Sequence, residues 1–108
     1  MIKEYIDNVI GEMNGITEQL WQGNEEAYQK LSEYAKGWQQ ILQEMIANMC
    51  RWTEEGKEIP LDIVLCQLEN FDMALTRKDD MMLADVLNFE LKETLNYYKG
   101  LLEVYDGK

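Results

Sequence analysis

The apolar side chains of this chain recur three or four residues apart almost from end to end. Ala27, Leu31, Tyr34, Trp38, Leu42, Met45, Met49 and Trp52 form the longest such series, with Ile41 and Ile46 at its edges. That spacing puts one side chain per turn on a single face of an α-helix. No alternating, strand-like series competes with it. The chain has only one proline, so little interrupts a helix once it has started.

The same spacing recurs on either side of this series. Ile2, Ile6, Val9, Met13, Ile16 and Leu20 predict a helix over residues 2–22, with Gly11 and Gly15 on the opposite side of its wheel. Gly23 suits the stop of that helix. Asn24 suits the cap of the next, with Glu25 and Glu26 in a first turn where the helix dipole favours negative charge. The second helix is expected to end near Glu55-Gly56. Pro60 fits the opening of a third helix because it has no N–H to satisfy. That helix would use Leu61, Val64, Leu65, Leu68, Phe71 and Leu75. A fourth, over about residues 80–105, would use Leu83, Leu87, Leu91, Tyr98, Leu101, Leu102 and Tyr105. Short connections favour antiparallel neighbours. The expected fold is therefore all-α, an antiparallel four-helix up-and-down bundle, with residues 1–108 as a single domain.

Composition narrows the function. Apolar residues make up 46% and charged residues 29% of the chain, a globular balance. Acids outnumber bases 21 to 10, for a net charge of -11. Phosphate backbones and anionic membranes would be repelled, so neither nucleic acid nor membrane is an expected partner. No histidine is present, which removes the commonest general base and the commonest transition-metal ligand. Ser32 is the only serine, and nothing is at hand to activate it. Cys50 and Cys66 are too few for a disulfide scaffold and read as reduced thiols in or beside the core of a cytoplasmic protein. There is no signal-peptide pattern at the start of the sequence and no transmembrane-length apolar run.

Most of the chemistry in the sequence lies between Leu75 and Leu95, where Asp79, Asp80, Asp85, Glu90 and Glu93 sit among apolar residues. Asp79 suits an N-cap, and Asp80 suits the first turn beside it. Thr76 with Asp79 is the alternative, a capping box that moves the start back one turn. Asp85 points away from the apolar face, and Glu93 lies at its boundary. Glu90 falls inside the apolar arc, as Asp72 does in the third helix. A buried carboxylate needs a partner; a tyrosine hydroxyl, a lysine or a helix N-terminus would serve. Asp72 and Glu90 are read as buried or boundary acids, with a functional carboxylate pair as the sharper alternative.

Two metal-site templates fail or nearly fail. A di-iron bundle needs Glu-x-x-His, and the chain has no histidine. The all-α nucleotide pyrophosphatases hold Mg²⁺ with Glu-x-x-Glu and Glu-x-x-Asp motifs. Three residues before Asp85 stands Met82, however, and Gln29 stands where a second acid would follow Glu25 and Glu26. No cofactor is expected.

The last helix is apolar over a wide arc. Met82, Val86 and Phe89 form a second stripe, continued by Gly100 and Val104. Such an arc means either a central, buried helix or a second contact surface. Met82, Val86, Phe89 and Val104 are accordingly the expected partner surface, for another protein or for a second copy in a homodimer.

The stretch LENFDMALTRKDDMMLADVLNFEL, Leu68 to Leu91, resembles a segment of small uncharacterised helical proteins of Gram-positive bacteria. Ala84, Asp85, Leu87, Glu90 and Leu91 carry the likeness, with Gly23-Asn24 and Lys36 to Trp38 upstream. It implies a helical domain and supplies no activity. In size, acidity and helix number the chain also resembles flagellin-type export chaperones, which implies a client-binding bundle. The expected function is a non-catalytic protein-interaction module, adaptor or chaperone-like. The alternative is a Mg²⁺-dependent hydrolase of the all-α pyrophosphatase kind.

Overall fold

The computed structural model describes residues 2–106, and the outermost residues of the expected 1–108 domain lie outside that range. It is all-helical over those residues. Helix α1 spans Ile2–Trp21, α2 spans Glu26–Glu54 and α3 spans Leu61–Arg77. The fourth helix is one continuous rod in three parts: α4 (Asp80–Asp85), a π-helical turn (Val86–Leu91) and α5 (Lys92–Asp106).

Local chemistry sets the connections. Gly23 takes a left-handed φ of 71°, and the Asn24 and Gly23 amides donate back to the carbonyls of Gln19 and Leu20. Gly56, at φ 91°, ends α2 in the same way, with Lys57 and Gly56 donating to Trp52 and Thr53. Both are Schellman closures that satisfy the last carbonyls of a helix. The third such closure carries no glycine: Lys78 ends α3 at φ 49°. Asn24 caps as expected, its Oδ1 accepting from the Glu26 amide at 2.9 Å. Asp79 is the N-cap of α4, accepting from the Met82 amide at 3.0 Å. Thr76 lies inside α3, so the capping-box alternative is not used. Pro60 stands one residue before α3.

Ile6, Val9, Met13, Ile16 and Leu20 of α1 meet Trp38, Ile41, Met45, Met49 and Trp52 of α2 and Leu83, Leu87, Leu91, Leu95 and Tyr98 of the fourth helix in one core. At the lower end of that core Trp52 packs on Tyr98 and Tyr105, at 6.0 and 5.4 Å between ring centroids. The Tyr98 hydroxyl accepts from the Asn48 amide group at 2.6 Å. The closely packed pairs are α1 with α2, α1 with the fourth helix, and α3 with α4 and the π turn. The pair α2 and α3 is not among them. Helix α3 buries only Val64 and Ala74 fully. Leu61, Leu68, Phe71 and Leu75 are half-buried and Leu65 is exposed, although sequence periodicity groups all six as one inward face.

The π turn departs from the unbroken α-helix that the apolar spacing predicts over residues 80–105. Within it the Lys92 amide donates to Leu87, five residues back. A π turn holds more residues per turn than an α turn, so side chains after it are rotated relative to an ideal α wheel. Glu90 is thereby moved from inside the apolar arc to its edge.

Candidate functional site

The open side of the molecule lies between α2 and α3. Because these helices are not closely packed, their facing side chains line a groove of about 550 Å³. The α2 wall is Leu31, Ala35, Trp38, Leu42, Ile46 and Ala47, with Gln39 and Gln43 as its polar members. Leu65, Leu68, Phe71 and Leu75 form the α3 wall. No charged side chain lines the groove. Its walls are of the mainly apolar kind that takes ligands or helix faces.

Trp38 fixes the floor. Its ring stacks on Tyr34 at 6.2 Å between centroids and tilts against Phe71 of α3 at 6.3 Å. Its indole Nε1 donates to Glu12 Oε1 of α1 at 2.9 Å, which satisfies the one polar atom of a buried ring. One side chain thus ties α1, α2 and α3 together beneath the groove. On α2 the groove residues follow from spacing: Leu31, Trp38 and Leu42 face inward, while Ala35, Gln39, Gln43 and Ile46 flank them one step around the helix. The flank is neutral and short, so it leaves room.

The residues singled out from sequence are dispersed. Asp79 is spent on its cap. Asp80 accepts a hydrogen bond from the Tyr28 hydroxyl of α2. Burial pushes the Tyr28 phenol up to about 12, reinforced by that bond and by the charges of Asp80 and Asp79. Asp85 and Glu93 are exposed. Glu90 is half-buried, and its Oε1 accepts from Asn70 Nδ2 of α3 at 3.1 Å. The partner is an amide rather than the tyrosine, lysine or helix end expected. Asp72 is exposed, contrary to the buried or boundary position expected for it, because α3 turns only Val64 and Ala74 fully inward. No cluster of three or more acidic or cysteine side chains able to hold a metal ion occurs among the described residues.

The expected partner stripe on the fourth helix does not form one surface. Val86, at 2% exposure, belongs to the core, and Met82 is half-buried against it. Phe89 and Val104 are exposed at 65% and 73%. The π turn between Val86 and Leu91 breaks the α register that aligned them on the wheel. Cys50 is half-buried and Cys66 exposed, so only Cys50 is near the expected core setting. Tyr98 is held above its ordinary pKa by burial, with the Asn48 hydrogen bond opposing the shift.

Sequence reasoning assigned Leu65, Leu68, Phe71 and Leu75 to the core. One available signal pointed elsewhere: the face of α2 opposite them carries Ala35, Gln39, Gln43 and Ala47, too small and polar to close the bundle by themselves. No family model matches the sequence, and neither a curated protein nor a solved structure does.

Proposed function

We propose that the protein is a non-catalytic interaction module, adaptor or chaperone-like, that receives a helix face of another protein in the α2–α3 groove. The observation that carries this reading is the groove itself: an apolar cleft with an aromatic floor locked by Trp38. A helix laid in such a cleft buries its apolar stripe, the usual helix-in-groove mode. The short connections between helices support an antiparallel up-and-down course, with the groove where a closed bundle would have its α2–α3 contact. The likeness to export chaperones in size and acidity agrees with a client-binding role. Among the described residues the carboxylates are engaged singly or exposed, so no observation favours the Mg²⁺-dependent hydrolase.

A tagged pull-down compares the parent protein with Leu65→Ser and Phe89→Ser. Both side chains are solvent-exposed, at 43% and 65%, so both variants keep the helical circular dichroism of the parent. Loss of a captured protein in Leu65→Ser alone supports the groove. Loss in Phe89→Ser alone moves the contact to the fourth helix and removes the groove from the reading.

A further inference from the structure

The walls of the groove are neutral, but its α3 edge is acidic. On α3, Asp62 lies three residues before the groove residue Leu65, and Glu69 lies four after it. Asp72 lies four residues after Leu68 and three before Leu75. Side chains three and four apart are neighbours on a helix surface, so all three acids border the groove side of α3. All three are exposed, and none makes an ion pair among the described residues. Across the groove the α2 flank offers Gln39 and Gln43, which are uncharged, and a single cation, the exposed Lys36 three residues before Gln39. The basic residues of α3 and its cap, Arg77 and Lys78, come only at its C-terminal end.

From this placement we infer that the occupant of the groove is a basic amphipathic helix. It would have an apolar stripe for the Trp38–Phe71 floor and lysine or arginine residues along the flank that meets Asp62, Glu69 and Asp72. From Leu31 to Ala47 the α2 wall is about 24 Å long at the α-helical rise, so a helix of about 15 residues fills it. Charge argues against the other occupants. A second copy of this chain brings a net charge of -11 to an acidic edge. A fatty acid brings a carboxylate to the same edge. Strong acidity also speeds the approach of a basic partner and makes that approach dependent on salt. The inference rests on the groove reading above, and its test separates the two.

The probes are three fluorescein-labelled peptides of about 15 residues, a length set by the helical rise. One is a leucine-rich amphipathic helix with lysines on one flank. The second has glutamines in place of those lysines. The third is the lysine peptide scrambled so that its apolar stripe is lost. Fluorescence anisotropy with the full chain reads binding at low and high salt. The lysine peptide is expected to bind about tenfold more tightly than the glutamine peptide at low salt, the yield of a few exposed ion pairs. High salt closes that gap. The triple variant Asp62→Asn, Glu69→Gln, Asp72→Asn also closes it, and Leu65→Ser weakens both amphipathic peptides.

Equal binding of lysine and glutamine peptides would overturn the basic-helix inference and leave the groove reading standing. Binding of neither would overturn both. A scrambled peptide that binds as well as the amphipathic one would reduce the effect to bulk charge attraction and overturn the inference. So would a concentration-dependent dimer, seen by sedimentation and lost in Leu65→Ser, because the groove would then belong to a second copy.

Discussion

Lys78 occupies a backbone conformation that suits glycine. It is the one non-glycine residue at positive φ among the described residues, and it closes α3 just before the Asp79 cap. A side chain with a Cβ is strained there, whereas Gly23 and Gly56 make the equivalent closures without strain. Lys78→Gly relieves left-handed strain of about 1–2 kcal/mol and gives back part of it, about 0.4–1 kcal/mol, to the freer unfolded chain, so the protein is expected to gain stability, read as a higher urea midpoint with unchanged slope. Tyr28 makes a second residue-scale case. Its phenol is pushed up from 10.0 to about 12, so between those values the native state holds the proton more tightly than the unfolded chain. The stability it lends is complete below pH 10 and falls as the pH climbs towards 12. Tyr28→Phe should flatten that alkaline decline and remove a late step from the tyrosinate absorbance titration. An unchanged titration would mean that Tyr28 does not ionise late.

At the scale of elements, the fourth helix is decided by its π turn. The residues that matter for packing are Leu83 and Leu87 before it and Leu91, Leu95, Tyr98 and Leu102 after it. Removing Phe89, which is exposed within the turn, leaves these residues spaced four and three apart, as an uninterrupted α-helix requires. Deletion of Phe89 is therefore expected to keep cooperative thermal unfolding. Deletion of Asn96, which is also exposed, has no surplus residue to absorb it. It rotates Tyr98, Leu101 and Leu102 out of register with Trp52 and should abolish the cooperative transition. The comparison, by circular dichroism melts, tests whether the π turn carries the extra residue. It also shows why sequence reading failed here. Met82, Val86, Phe89 and Val104 share a stripe only on an unbroken α wheel, and nothing in VLNFEL marks the change of period.

Taken as a whole, the molecule measures 43 × 27 × 20 Å and is built on α1, which packs against both α2 and the fourth helix. Helix α3 is attached on one side only, through α4 and the π turn, with side-chain bridges such as Phe71 to Trp38 across the groove. Regions with few buried apolar contacts open at lower free energy than the core. Amide hydrogen exchange should therefore rank α3 as the earliest helix to open and the middle of α1 among the last. Occupation of the groove should slow exchange in α3 more than elsewhere. If α3 exchanged as slowly as α1, the groove would be a rigid cleft.

The sequence by itself determined the helices and most of their ends. The four apolar series at 3–4 spacing, Gly23, Asn24, Gly56, Pro60 and Asp79 all act within one or two turns, where backbone hydrogen bonding and dihedral preference decide the outcome. It also placed Trp38 on the apolar face of the second helix. Only the tertiary structure decided which apolar residues are buried. Val86 and Leu65 are equally apolar on paper, yet one is in the core and the other borders a groove, because burial depends on what another helix places opposite. The position of Glu90 turned on a π turn, and that of Asp72 on how α3 leans on the fourth helix. The groove followed from α2 and α3 being held apart. That separation comes from packing between residues far apart in the chain, and no local pattern records it.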